Sequence, residues 1–231
     1  MDVLVQGFRH ALRLLAGGDP DVLGILWLSL EVSATATLIA LVLGIPLGAA
    51  LALTRFPGRV LLVSAVNTGM GLPPVVVGLF VTVLLWRSGP FGDLEVLYTP
   101  AAIVVAQAVI AAPIVTGITL AAVQQVPEKF RLQLVALGAS RRQMVWVVLG
   151  EARLPMLAAV MAGFGGVISE IGASMMVGGN IRGQTRTLTT AMVLETSKGN
   201  FDIAIALALL LLALVFLVNW ALTTIQQRRA L

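Results

Sequence analysis

The sequence contains no cysteine and only one histidine, His10. Without cysteine the chain forms no disulfide bond and no thiolate metal site, and it carries no thiol for redox chemistry. A single histidine also excludes the histidine-rich clusters that hold zinc in many proteins. We therefore predict no metal site in this chain.

Charged residues are scarce as well. Only 11% of the 231 residues are Asp, Glu, Lys or Arg, 58% are hydrophobic, and the mean hydropathy is +0.99. Soluble domains carry about 25% charged residues, and a soluble core of this length could not bury so much apolar surface. The composition therefore predicts a chain embedded in a lipid bilayer. The net charge of +4 does not indicate nucleic acid, because the basic residues lie between apolar runs.

Lysine is rare, with Lys129 and Lys198 the only two. A nucleotide-binding P-loop needs a Gly-Lys pair, and neither lysine follows a glycine. The sequence also offers no pairing of a nucleophile with a general base. We predict that the chain is not an enzyme, has no catalytic residues and binds no cofactor of its own.

Five long apolar runs are present, each reaching the roughly 20 residues that a transmembrane helix needs. They predict an all-α membrane protein with about five transmembrane helices in a single domain, residues 1–231. An odd number of spans puts the two termini on opposite sides of the membrane. The predicted spans are 22–53, 60–86, 100–123, 154–177 and 203–225.

Basic residues are distributed unevenly between the two sides of this layout. Outside the spans, one side carries nine Lys or Arg and two acidic residues, while the other carries six Lys or Arg and seven acidic residues. Because cytoplasmic loops are enriched in Lys and Arg, we predict that the first side is cytoplasmic. The N-terminus then lies outside and the C-terminus inside.

The N-terminal residues 1–16 are too few to span the membrane. Leu4, Phe8 and Leu12 lie on one face of a helix, with polar residues on another. This pattern predicts an amphipathic N-terminal segment, residues 1–19, on the outer membrane surface. A sixth, short span is the alternative.

The connection between the third and fourth predicted spans, residues 124–153, is larger than a connection needs. It is amphipathic and basic, and it predicts two short helices around a bend at Gly138, with Leu132, Val135 and Met144 available for docking. These features indicate a partner protein on the cytoplasmic side. A plain interfacial loop is the alternative.

The sequence Leu-Gly-Ala-Ser-Arg at 137–141, with Leu-Pro at 154–155, resembles the cytoplasmic coupling loop of ABC importer permeases. The Glu-Ala-Ala of that family's motif corresponds here to Leu-Gln-Leu at 132–134, and the Leu-Pro element comes later than usual. The resemblance implies that a homodimer of this chain binds two ATPase subunits, which bind ATP and Mg²⁺. The residues that it assigns to ATPase coupling are Leu137, Gly138, Ala139, Ser140 and Arg141.

Residues 168–173 (Ile-Ser-Glu-Ile-Gly-Ala) and 179–188 (Gly-Asn-Ile-Arg-Gly-Gln-Thr-Arg-Thr-Leu) are similar to molybdate and tungstate permeases. Thr-Thr-Ala at 189–191 and Leu-Glu-Thr at 194–196 resemble the tungstate branch in particular. Gly-Leu-Pro-Pro-Val-Val-Val-Gly at 71–78 fits both branches. The similarity runs from the first span to the fifth. It implies an importer of an oxyanion, tungstate first, delivered by an extracytoplasmic binding protein to a bacterial or archaeal inner membrane.

The outer segment 180–187 has side chains that suit an oxyanion. Amide and hydroxyl groups offer uncharged donors, and arginine offers cationic forks that match tetrahedral oxygens. Direct contact with the substrate and docking of the binding protein are equally open interpretations. The residues concerned are Asn180, Arg182, Thr185, Arg186 and Thr187.

Two features within the predicted spans suggest a gate. Pro73 and Pro74 are expected to break the second span near the middle of the membrane. Glu170, followed by Gly172, lies where charged residues are rare and face the protein interior. Because a carboxylate repels an oxyanion, we predict for Glu170 a structural or gating role with a basic or backbone partner; a protonated, inert Glu170 is the alternative.

Other functions remain open at this point. The same kind of permease could carry molybdate, sulfate or another small solute. A membrane scaffold without transport activity is an alternative of a different class, and a passive channel is a third. The large basic loop argues against the channel, because a passive channel needs no site for a motor protein.

Overall fold

The structure, a computed structural model, describes residues 7–8 and 17–228, without the side chain of Arg228. Within that part the chain is helical, with one short 3-10 turn at Gly92–Leu94 and no strand, which confirms the predicted all-α class. Most of the predicted amphipathic segment 1–19 lies outside the described residues, which include only residues 7–8 and 17–19 of it. The α-helices are α1 (Pro20–Leu53), α2 (Arg59–Met70), α3 (Pro74–Leu85), α4 (Pro100–Gln124), α5 (Glu128–Ala136), α6 (Arg141–Glu151), α7 (Arg153–Ile168), α8 (Gly172–Gly178), α9 (Leu188–Ser197) and α10 (Phe201–Arg228).

Helix α1 is a single helix of 34 residues, as the first predicted span requires. The carboxylate of Asp19 caps its N-terminus by accepting from the backbone N–H groups of Asp21 and Val22, and Pro20 opens the first turn, where no donor is lost. At 1.5 Å per residue the helix is about 51 Å long. It therefore exceeds the roughly 30 Å hydrocarbon core.

Three of the described helices, α1, α4 and α10, are long and apolar enough to cross a membrane by themselves. The number rises to five if two bent pairs each count as one span: α2 with α3, bent by 101°, and α6 with α7, bent by 69°.

The prediction of one continuous fourth span over 154–177 was wrong. That stretch is divided between α7 and the short α8, with a break at residues 169–171.

The centre of the bundle is formed by α1, α4 and α7, which pack through small side chains. Ala40, Ala111 and Ala159 meet there with Val115 and Val167, all fully or almost fully buried. Small residues allow helix backbones to approach closely, and dispersion contacts then hold them together in lipid. Packing of small residues along α1 and α4 therefore sets the spacing of the bundle.

One end of the bundle, predicted from the sequence to face outward, is closed by α9 and α10 against the start of α1. Leu188, Ala191, Leu207 and Leu210 form a buried cluster, against which the first turns of α1 pack. The backbone N–H of Leu188 donates to Ser29 Oγ at 2.8 Å, so a free donor at the start of α9 is satisfied by α1. This contact fixes α9 to α1.

The opposite end, which carries most of the basic residues, is closed by the coupling segment, as we name residues 124–153. Val148 and Ala152 of this segment are buried against Ala122 and Val123 at the end of α4. Met144, interpreted from the sequence as available for docking, packs half-buried against the same cluster. That interpretation was wrong for Met144, because its side chain packs against the core of the bundle.

Candidate functional site: two helix breaks, an outer cleft and the coupling segment

The first break separates α2 from α3 at Gly71–Pro73. Pro74 opens α3 and Pro73 stands before it in an extended conformation, with ψ at 123°. Two consecutive prolines supply no N–H donors, and the residue before a proline is disfavoured in the helical region. The predicted break at Pro73 and Pro74 is therefore confirmed, with a 101° bend. The gating role of these prolines stays a prediction.

The second break lies between α7 and α8, and Glu170 occupies it. The Glu170 side chain is 8% exposed, and its Oε1 accepts a hydrogen bond from the backbone N–H of Ala173 at 2.6 Å. This satisfies one of the free donors at the start of α8. The backbone carbonyl of Glu170 in turn accepts from the Thr189 hydroxyl at 2.9 Å. The partner of the carboxylate is thus a backbone group, one of the two kinds expected, and Thr189 is a contact that the sequence did not reveal.

The two breaks pack against each other. A Cβ atom added to Gly172 would lie 2.6 Å from Cγ2 of Val75, and one added to Gly78 would lie 2.7 Å from Cα of Ala173. Glycine at both positions therefore lets the start of α8 rest directly on α3. The two breaks therefore form one packed element.

Replacing Glu170 with Ala is expected to destabilise this element. Loss of a helix cap costs about 1 kcal/mol, and the amide of Ala173 would be left buried without its partner. We expect a lower Tm and reduced uptake for E170A. E170Q is the matched control, because its side-chain oxygen can still accept from Ala173. A thermal unfolding curve of E170A that coincides with the wild-type curve would contradict the capping role.

In the outer segment 180–187, the two predicted threonine donors are buried. Thr185 is 0% exposed, and its hydroxyl donates to the carbonyl of Gly178 at 2.6 Å while accepting from the N–H of Ile181 at 2.9 Å. Thr187 is 4% exposed and caps α9 in a capping box with Thr190. Both hydroxyls hold the segment in shape. The expectation that they offer donors to a solute is not supported by this geometry.

Asn180, Arg182 and Arg186 remain at the surface of the outer segment. Asn180 adopts a left-handed conformation, with φ at +52°, and its side-chain oxygen accepts from Nε of Arg186 at 3.2 Å. Arg182 donates through Nη2 to the carboxylate of Asp21 at the start of α1. The hydrogen bond and the charge of Asp21 raise the pKa of Arg182. Asp21 lies 161 residues away along the chain, so no sequence signal could have revealed it as a partner.

These arginines border a cleft of about 740 Å³ between α1 and α9, which we name the outer cleft after the orientation predicted from the sequence. Its charges partly neutralise one another. The carboxylate of Glu195 accepts from Asn200 and from Lys198, both at 2.7 Å, and these contacts hold the pKa of Glu195 below its usual value. Four acidic and three basic side chains line the cleft, which leaves a net negative charge: Asp19, Asp21, Glu31, Glu195, Arg182, Arg186 and Lys198. Such a lining does not present the excess of positive charge that a free oxyanion favours.

The coupling segment contains the two helices predicted for it, α5 and α6, separated by a bend. Gly138 has φ at +81°, a conformation that favours glycine. Ser140 caps α6 in a capping box with Gln143. Leu137 is 84% exposed, and Arg141 is exposed beside it. The bend therefore projects an apolar side chain from a rigid base. Leu132 and Val135 are also exposed on α5.

Among the described residues, no three His, Cys, Asp or Glu side chains lie close enough to hold a metal ion. Asp19, Asp21, Glu170 and Glu195 have the structural partners given above. The features that remain for a function are the paired breaks, the outer cleft and the coupling segment.

The arrangement of helices is that of a known class of membrane permease. The structure matches a subunit of the inward-facing methionine ABC transporter MetNI with a TM-score of 0.74 at 22% identity, covering 90% of this chain and 95% of that one. Residues 44–231 match the family of binding-protein-dependent transport system inner membrane components. The chain belongs to this family and is a multi-pass membrane permease of the ABC importer type.

Two curated relatives are informative about the branch. A tungstate uptake system permease protein of Peptoclostridium acidaminophilum is 37% identical over 227 residues, covering 98% of this chain and all of the relative. A probable anion ABC transporter permease protein of Haloferax volcanii is 42% identical over 196 residues, covering 83% of this chain and 84% of the relative. The similarity extends over nearly the whole chain, as the motifs predicted.

Proposed function

We propose that this permease imports an oxyanion, with tungstate as its cargo. The observation that carries the proposal is the 37% identity to a tungstate uptake permease over 98% of the chain. Transfer of a bare dianion into hydrocarbon costs tens of kcal/mol by Born estimates. The cargo must therefore cross between protein surfaces, and two copies of the chain are expected to enclose that route because five spans are too few to enclose it alone.

The partners follow from the class of protein. The coupling segment, with Leu137 to Arg141 at its bend, is the proposed contact with an ATPase subunit that binds ATP and Mg²⁺. Core contacts support a transmitting role: α6 packs on the end of α4 through Val148, so a push on the bend reaches the central helices. The basic end of the bundle is the proposed cytoplasmic side, with the N-terminus outside and the C-terminus inside.

The outer cleft is the proposed seat of an extracytoplasmic binding protein. Its net negative lining disfavours a free dianion, whereas a protein surface can match mixed charges one by one. Asn180, Arg182 and Arg186 therefore serve docking in this proposal, and Thr185 and Thr187 support the loop that carries them. This argument favours docking over direct contact with the substrate.

The paired breaks are the proposed gate. α3 begins at the break in the second predicted span and α8 at the break in the fourth, and the two helices touch at Gly78 and Gly172, so we expect them to move together. Glu170 stabilises the start of α8. Because packed interfaces switch between discrete arrangements instead of deforming continuously, a rocking of α4 and α7 driven from the coupling segment would reposition the pair.

Uptake of labelled tungstate tests the cargo directly. We expect uptake to fall to background in cells lacking this chain and to recover when the chain is restored. Unlabelled tungstate should compete more strongly than molybdate or sulfate at equal concentration. Equal tungstate uptake with and without the chain would contradict the oxyanion proposal. Stronger competition by molybdate or sulfate would instead reassign the cargo within the same class.

A further inference from the structure

A second cleft, of about 500 Å³, lies at the basic end of the bundle. We call it the inner cleft. It is formed where four elements meet: the end of α1, the start of α2, the end of α4 and one face of α5. Its lining residues are Ala52, Leu53, Thr54, Arg55, Arg59, Gln124, Glu128, Arg131, Leu132 and Val135.

Two of its three arginines are fixed by the ends of the central helices. Nε of Arg59 donates to the carbonyl of Leu51 at 2.7 Å, and Nη2 of Arg131 donates to the carbonyl of Val126 at 3.0 Å. Cations are favoured at helix C-termini, where carbonyl groups are left without partners. Each guanidinium has five N–H donors, so these contacts hold the side chains in place and leave further donors on each of them.

The residues that the structure describes do not neutralise the charge of the inner cleft. Three arginines and one carboxylate, Glu128, line it. Among the described residues, the ion pairs within 4.0 Å join Arg182 to Asp21 and Lys198 to Glu195, both in the outer cleft. Arg55, Arg59 and Arg131 have no such carboxylate partner in this part of the chain. The inner cleft is therefore positive where the outer cleft is slightly negative.

We propose that the inner cleft binds a tetrahedral oxyanion of the phosphate type. Pre-positioned guanidinium groups match the oxygens of such an anion in charge and geometry. The ligand is either a free inorganic oxyanion or the phosphate headgroup of an anionic lipid, for which basic pockets between helices at the membrane surface are suited. Because Arg131 and Leu132 belong to α5, the bound anion joins the coupling segment to the ends of α1 and α2. The proposal does not depend on the transported cargo.

Thermal unfolding of the purified full-length chain in lipid nanodiscs tests this site. One arm titrates inorganic phosphate and tungstate in nanodiscs of phosphatidylcholine alone, and the other replaces part of that lipid with phosphatidylglycerol, at constant ionic strength. The variant is R55Q. Arg55 is exposed and, unlike Arg59 and Arg131, is not one of the arginines bound to a helix-end carbonyl group, so its replacement should leave the fold intact. The control is K129Q, which removes the same charge from α5 outside the cleft.

We expect an anion-dependent rise in Tm for the wild type and K129Q, with about tenfold weaker apparent binding for R55Q, the loss typical of one charge-assisted hydrogen bond. E128Q should bind more tightly, because it removes the one carboxylate of the cleft. A rise in Tm with the inorganic anions identifies the ligand as a free oxyanion, and a rise in Tm with phosphatidylglycerol identifies it as a lipid headgroup. Either result supports the site. An absent response, or equal responses of R55Q and K129Q, would overturn it.

Discussion

L137E is expected to abolish co-purification of the ATPase subunit with this permease while the helical bundle stays folded. Leu137 is 84% exposed at the bend between α5 and α6, so its replacement disturbs no core contact. An apolar anchor at the centre of an interface is typically worth about 2 kcal/mol or more. That loss weakens binding about 30-fold, and a buried unpaired carboxylate adds to it. ATP-dependent uptake is expected to disappear with the complex.

L137M is the matched control, since it keeps an apolar side chain of similar size. Both variants should show the wild-type Tm in detergent. Retention of the ATPase subunit by L137E would show that the bend is not the contact. Deleting residues 124–153 is a poorer experiment, because Val148 and Ala152 belong to the buried cluster at the end of α4 and their loss would damage the fold.

G48A is expected to be the most disruptive of the alanine substitutions at the three glycines of helix α1, which are Gly24, Gly44 and Gly48. Its Cβ would lie 2.5 Å from the carbonyl oxygen of Thr116, 2.8 Å from Cβ of Thr119 and 3.0 Å from the backbone nitrogen of Leu120. Two of these three atoms belong to the α4 backbone and cannot rotate away. Helices α1 and α4 must therefore separate, at a cost of about 1–3 kcal/mol for overpacking. We expect a clearly lower Tm and less folded protein in the membrane.

G24A provides the comparison within the same helix. A Cβ atom at Gly24 would meet nothing within 4 Å, and alanine is favoured over glycine in a helix by about 0.5–1 kcal/mol. G24A should therefore be neutral or slightly stabilising. If G48A and G24A behave alike in thermal unfolding, the close approach of α1 and α4 is not what holds the centre of the bundle.

The sequence predicted the two kinds of break with different success. The break at Pro73 and Pro74 can be predicted from the sequence, because proline has no backbone N–H donor in any context. The break at Glu170 was missed, although Glu170 itself was recognised as unusual. Residues 169–171 include no proline, and hydropathy alone describes the apolar run 154–177 as a single span. The break is stabilised by two contacts that hydropathy does not describe: the Glu170 carboxylate caps α8 three residues further along the chain, and Thr189 holds the Glu170 carbonyl from 19 residues away. The second contact is tertiary.

For the outer segment, the sequence predicted more functional side chains than the structure supports. Its residue types suggested five side chains that could meet an oxyanion, but Thr185 and Thr187 are turned inward to hold the loop. Arg182 faces Asp21, a partner far away in the chain. Residue type indicates which hydrogen bonds a side chain can make, and only packing decides whether they are already made. That difference favours docking of the binding protein over contact with the substrate, two interpretations that the residue types had left equally open.

By itself, the sequence determined that the chain lies in a membrane, that it is helical and that it has no nucleotide-binding loop. These properties depend on composition, on the length of apolar runs and on the presence or absence of a short motif, and all three are local. The tertiary structure decided which glycines bring helices together, which charges neutralise each other and which have no ion-pair partner among the described residues, as at Arg55 in the inner cleft. Such properties arise between residues distant in the chain, because burial and pairing depend on how the helices pack.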